Sequence, residues 1–302
     1  MSTALTHQTA QTRRPTQGNT MTTTTQPIDV TPGTDPGTDP GTDPAATDFH
    51  PELAQVGAVP FIRLLRVELR KLVDTRGGRG VLGAIVLFTA VAMGATMWVT
   101  RESGAGLIPL LMAASTPQAI LLPVLGIMTA ANEWSQRTAL ITFSQEPRRL
   151  RVVAAKAAAA VLLGLAVLAV TILLAVLGHV ASMSLAGGSV EIGITAALLT
   201  NLASLQTQSV LMGVAFGALL LNVPIAIVAF FVAPVVVNLL LLANSWLAEH
   251  AAWIDTGTSG TALLNNAWIS GEQWAQFGSA TALWVLLPLA IGCWRVARKD
   301  VK

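Results

Sequence analysis

Long uncharged apolar runs alternate with short charged stretches along most of the chain, and the run lengths set the elements. A helix needs about 20 residues to cross roughly 30 Å of hydrocarbon. Val81–Val99 meets that length, with Trp98 at its far end. Gly106–Ala131 is a second run, interrupted by Pro117 and Pro123, and Val152–Leu177 is a third. Ile194–Leu221 is a fourth, and Pro224–Leu242 is a fifth after the break at Asn222-Val-Pro224. Thr281–Val296 is short for a complete span, so the sixth is expected to begin near Trp274 or Phe277. The pattern predicts an all-α, polytopic membrane protein over 59–302 with six transmembrane helices. Six spans put both termini on one side.

Charge decides which side. Lysine and arginine accumulate in cytoplasmic connections. Arg63, Arg66, Arg70, Lys71, Arg76 and Arg79 precede the first span, and Arg137, Arg148, Arg149, Arg151 and Lys156 crowd the second-to-third connection. Arg295, Arg298, Lys299 and Lys302 follow the sixth. The alternate connections hold Arg101 beside Glu102, Glu191 alone, and Glu249, Asp255 and Glu272. A multi-pass protein of the plasma membrane with both termini cytoplasmic is expected.

Composition agrees: 53% of the 302 residues are hydrophobic and only 11% charged, where a soluble domain carries about 25% charged residues. With a net charge of only +2, the basic residues mark topology and not a nucleic-acid surface. The single cysteine, Cys293, lies in an apolar run, which excludes a disulfide framework or a thiolate metal site. Residues 1–58 are a different material, Thr-rich and then Pro-Gly-Thr-Asp three times from Pro32 to Asp43. Such a segment has little to bury and is expected to be a disordered cytoplasmic tail.

Two charged segments need more explanation than topology. Pro60–Asp74 has Phe61, Leu65, Leu69 and Leu72 at helical spacing, with Arg63, Arg66, Arg70 and Lys71 on the basic side. An N-terminal amphipathic interface helix is expected there, its basic stems reaching membrane lipid headgroups. Glu68 and Asp74 interrupt the cationic surface as candidate partner contacts. Asn132–Arg151 leaves the second span as a short helix of mixed polarity, closed by Pro147. Its Ala139, Leu140, Ile141 and Phe143 need a surface to pack on, so a docking surface for a soluble partner is expected.

On these elements the chain resembles the type-2 ABC exporter permease family. The resemblance rests on Glu68-Leu-Arg-Lys71 before the first span, Glu133 with Arg137-Thr138 after the second, and Glu146-Pro-Arg-Arg149 followed by Arg151 and Lys156. It covers roughly residues 60 to 300. It implies that the segment after the second span is a cytoplasmic coupling helix seated in a cleft of an ABC ATPase subunit. Glu133, Arg137, Thr138, Glu146, Arg148 and Arg149 are then candidates for ATPase docking, and Arg66, Glu68, Arg70 and Lys71 for the interface helix. It further implies pairing with a second permease copy or paralogue, and export driven by ATP closure of the ATPases.

A phosphate loop of the Gly-x-x-x-x-Gly-Lys-Ser/Thr type needs a lysine after glycine. The four lysines follow Arg70, Ala155, Arg298 and Val301. ATP and Mg are therefore expected on the partner ATPase, with no cofactor and no enzymatic activity on this chain. Gly257-Thr-Ser-Gly260 matches a serine-protease pattern, but no histidine follows it in the sixth span, and no His-Glu-x-x-His zinc site exists. An ion-coupled secondary transporter is the alternative reading. Such proteins place ionisable groups within the membrane, and the span interiors here are essentially free of them. The fourth span instead carries Asn201, Ser204 and Gln208 on one face, with Gln206 nearby. That face is a candidate cavity wall or dimer seam, or a set of interhelical hydrogen bonds. Trp246, Trp253, Trp268 and Trp274 predict interfacial short helices in the outer loop.

Overall fold

A computed structural model describes residues 59–299 apart from 147. The expected disordered tail 1–58, the helix-closing Pro147 and the C-terminal Lys302 lie outside the described residues. Six helices are long and apolar enough to cross a membrane. They are α2 (Arg76–Val99), α3 (Leu107–Ser135), α5 (Arg149–Ala186), α6 (Ala196–Leu220), α7 (Val223–Ala243) and a sixth from Gly271 to Arg298. The sixth starts just ahead of Trp274, as the shortness of its apolar run predicts. It is built from α11 (Gly271–Thr281), a π turn (Ala282–Leu286) and α12 (Leu287–Arg298). The π turn directly precedes Pro288, whose missing N–H and ring are incompatible with a regular bond to the carbonyl of Trp284.

Short helices fill the connections: α1 (Phe61–Asp74) before the first span and α4 (Ala139–Gln145) between the second and third. The outer loop holds α8 (Ser245–Glu249), α9 (Ala251–Ile254), α10 (Thr256–Gly260) and a 3-10 turn (Thr261–Leu264), matching the expected short helices.

Pro117 and Pro123 do not interrupt the second span. α3 runs through both as one helix of 29 residues. Intramembrane prolines are tolerated where neighbouring helices and side chains satisfy the freed carbonyls. The break after the fourth span is real and local: Leu221 takes a left-handed backbone at φ 53°, and the Asn222 side chain caps α7 by accepting from the Ile225 N–H. Leu221 is buried with Val153 and Val296, which holds the strained turn in place.

Within the membrane, association rests on close packing. In their most apolar stretches α3 and α6 are 50% and 56% buried, against 11% for α7, so α3 and α6 form the centre. Glycines bring them together. A Cβ at Gly126 would sit 2.5 Å from the Val210 carbonyl oxygen, one at Gly213 2.1 Å from that of Pro123, and one at Gly217 2.7 Å from that of Ile127. Leu122, Val210 and Val214 fill the space beside the crossing.

The amphipathic helix expected before the first span is α1, and its apolar row packs on the bundle while Phe61, Ile62, Val67 and Val73 stay exposed. Leu72 is buried against Leu125 and Ala159, with Leu65 and Leu69 packed beside them. The row faces the bundle, because Glu68 on the same face pairs inside it. Gly213→Ala should therefore lower stability by about 1–3 kcal/mol through overpacking at the crossing. Gly94→Ala, with open space around it, should be neutral or slightly stabilising. Unfolding midpoints of both variants in one detergent check this.

Candidate functional site

Four charges meet where α1, α3 and α5 converge at the basic end of the bundle. Lys71 Nζ donates to Glu68 Oε1 and Glu133 Oε1, each at 2.8 Å. Lys156 Nζ donates to Glu68 Oε2 at 2.8 Å and Glu133 Oε1 at 2.9 Å. The result is a closed, alternating ring of two carboxylates and two ammoniums with no net charge. The side chains of Glu68 and Lys156 are 5% and 6% exposed, while Lys71 is 40% exposed. Burying such groups costs several kcal/mol each, recovered only when every charge is paired.

Burial alone would lower the pKa of Lys71, but Glu68 and Glu133 overcome it and hold the pKa above its ordinary 10.5. A lysine pKa raised on folding contributes stability that is fully present below the unfolded value. That contribution disappears only as pH rises through the higher folded value. Lys71 therefore stays charged in the ring throughout the neutral range.

The chain leaves α3 through a left-handed residue. Arg137 has φ 58°, and the Thr138 N–H returns to the Glu133 carbonyl at 2.9 Å. This helix-ending turn usually carries glycine, and an L side chain there costs roughly 1–2 kcal/mol. α4 then rests on the bundle by Ala139 and by Phe143, whose ring lies 5.8 Å from that of Trp134. Leu140 and Ile141 are 56% and 61% exposed. A cavity of about 630 Å³ opens between the ring and α4, with Lys71, Arg76, Met128, Gln136 and Ile141 on its walls.

The candidate docking residues separate into two groups. Glu133 belongs to the ring. Glu146 is buried and accepts from Arg151 at 3.0 Å, and Arg149 donates to the carbonyls of Val296 and Lys299 at 2.9 and 2.6 Å. These three hold the chain together, and Thr138 closes the turn. Arg137 and Arg148 are exposed. On α1, Glu68 and Lys71 are ring members, Arg66 is exposed, and Arg70 pairs with Asp74 at 2.8 Å on the surface.

The fourth-span residues also diverge. Asn201 donates to the carbonyls of Asn265 and Ala267, both at 3.1 Å, and the Ser204 hydroxyl bonds back to Thr200 of its own helix. Gln208 donates to Thr281 at 2.7 Å and also lines a second cavity, of about 550 Å³. A polar group that the sequence reading did not single out stands at that cavity. Gln118 donates to Thr171 at 2.8 Å and to Thr89 at 3.5 Å, and Gln206 donates to Gln118 at 3.4 Å and to the Gly164 carbonyl at 3.2 Å. The available signal was Gln118 itself, a polar residue beside Pro117 in an apolar run.

Comparison with models of known protein families, with curated proteins and with solved structures finds no match.

Lys156→Met leaves two buried carboxylates facing one ammonium and should cost about 3–5 kcal/mol. Adding Glu133→Gln restores neutrality and should recover a large part of that loss. Arg70→Ala, at an exposed pair, should change stability by less than about 1 kcal/mol. A double-mutant cycle read by chemical unfolding in detergent measures all three.

Proposed function

We propose that the chain is the membrane-spanning permease subunit of an ABC transporter, exporting a substrate across the plasma membrane with ATP hydrolysed on a separate ATPase subunit. The observation that carries this reading is α4. It is a short helix beyond the membrane-length spans, with Leu140 and Ile141 exposed and the exposed cations Arg137 and Arg148 at its ends. Its root is fixed, since α3 and α5 on either side of it share the buried charge ring with α1. An apolar patch on a firmly anchored projection fits a cleft on a soluble partner, and the resemblance names that partner as an ABC ATPase. The clustered arginines and lysines support a cytoplasmic position for this end and both termini. The lack of a glycine-lysine phosphate loop among the four lysines is in keeping with nucleotide chemistry on a partner.

An ion-coupled mechanism needs an ionisable group near mid-membrane. The cavity in the spans is lined only by uncharged side chains, which supports the ATP-driven reading.

The ring makes Glu133 a poor probe of docking, because its replacement unfolds the site under study. Ile141→Asp and Arg137→Gly are the informative variants. An ABC ATPase should co-purify with the intact chain from its native host, identified by mass spectrometry. Ile141→Asp should reduce that recovery about tenfold or more, equivalent to at least 1.4 kcal/mol. Arg137→Gly should weaken docking while raising the unfolding free energy by up to about 1 kcal/mol, since it relieves left-handed strain. ATPase binding undiminished by both substitutions refutes docking at α4. Transport in proteoliposomes that proceeds without ATP refutes the transporter class.

A further inference from the structure

The cavity of about 550 Å³ lies among α3, α5, α6 and α7, with α10 at its Trp-rich end. Gln118 stands 11 residues into α3, and Gln206 stands 10 residues into α6. At 1.5 Å per residue each is about 15 Å from its helix end, near the middle of a bilayer. The cavity wall therefore carries amides and hydroxyls at mid-depth, from Gln118, Thr171, Gln206, Gln208 and Ser209. Interleaved with them on the same helices are Leu111, Leu168, Leu205 and Met212, with Phe230 of α7 beside them and Thr256 and Thr261 at the loop end. No acid, base or histidine is among the lining residues.

The hydrogen bonds are unequally used. Gln206 spends its amide N–H groups on Gln118 and Gly164, and Gln208 spends one on Thr281. Among the described residues no donor reaches the amide oxygen of either glutamine, and none of the hydrogen bonds involves the Ser209 hydroxyl. Neither oxygen is sealed off: among the described residues the buried side-chain polar atom without a partner is Asn201 Oδ1. The Gln206 and Gln208 oxygens are accessible acceptors, free for a ligand that brings N–H or O–H donors. A charged ligand finds no counter-charge here, and its desolvation would go unrecovered.

We propose that this cavity binds an uncharged amphiphile. Its hydroxyl- or amide-bearing head donates to Gln206, Gln208 and Ser209, and its apolar tail lies along Leu111, Leu205, Met212 and Phe230. The volume lies within the range of small-molecule sites, about 300–1,000 Å³. The proposal rests on the translocation reading in one respect: it identifies this amphiphile as the class of cargo. Binding itself requires no ATPase.

The test uses the full chain in phosphatidylcholine nanodiscs with a diazirine-bearing monodecanoylglycerol as the probe. After photolysis the labelled peptides are mapped by mass spectrometry. Labelling should saturate and concentrate on the segments around 111–120 and 202–212. Unlabelled monodecanoylglycerol should displace it at least about tenfold more effectively than decanoate or decylammonium. Gln206→Leu should weaken binding about tenfold, the effect of one buried hydrogen bond. Ser209→Ala, a smaller change on the same wall, should weaken it several-fold and serves if Gln206→Leu does not fold. Equal displacement by all three compounds, or unsaturable labelling spread over the exposed face of α7, overturns the proposal. Cavity labelling without any co-purifying ATPase would sink the ABC reading and leave the site standing. ATPase docking without cavity labelling would do the reverse.

Discussion

The bundle depends on a ring of four charges, three of them largely withdrawn from water, at one end of an otherwise apolar structure. Glu68, Lys71, Glu133 and Lys156 are tolerable there only because each meets two of opposite sign. The ring joins a helix that precedes the first span to the end of the second and the start of the third. It also holds α1 against the bundle. Once Glu68 is committed to Lys156, the row of Leu65, Leu69 and Leu72 must follow it inward onto Leu125 and Ala159. Buried ion pairs seldom stabilise more than the apolar residues that could replace them. Their effect is geometric: they permit one arrangement of α1, α3 and α5, and so fix the root of α4.

The parts readable from sequence were those set by local rules. Span number and approximate limits follow from the length of uncharged runs, and the break at Asn222-Val-Pro224 follows from its capping and proline chemistry. What escaped was non-local. Lys156 and Glu68 are 88 residues apart, and Lys71 and Glu133 are 62 apart, so no spacing rule connects them. Each looked like a separate surface charge, and Glu133 like a docking residue. Pro117 and Pro123 looked like interruptions because proline is judged against an isolated helix. Packed through its own Gly126 against Gly213 and Gly217 of α6, α3 continues through both. Asn201, Ser204 and Gln208 share a helical face, as their spacing requires, yet only Gln208 reaches the cavity. Asn201 is taken up by the backbone carbonyls before the sixth span.

Strain is concentrated at two helix ends, and the two differ in support. Leu221 is held left-handed by burial between Val153 and Val296, so its turn is over-determined by packing. Arg137 has no such burial; its side chain is exposed, and backbone bonds close the turn, from its own N–H to the Trp134 carbonyl and from the Thr138 N–H to the Glu133 carbonyl. A left-handed non-glycine residue persists only where its surroundings over-determine it, and here the helix-end hydrogen bonds do so.

The two ends of the bundle solve one problem, polar groups out of water, in opposite ways. At the basic end full charges neutralise one another in a ring that ties α1, α3 and α5 together. At mid-depth, Gln206, Gln208 and Ser209 are neutral and only partly engaged, which leaves acceptors open toward the cavity. A rigid, self-sufficient network suits the transmission of force from a partner. An incomplete, uncharged one suits a molecule that must both enter and leave, because each contact is worth little more than a single neutral hydrogen bond. Binding strong enough to orient an amphiphile and weak enough to release it is a consequence of building that wall from amides instead of charges.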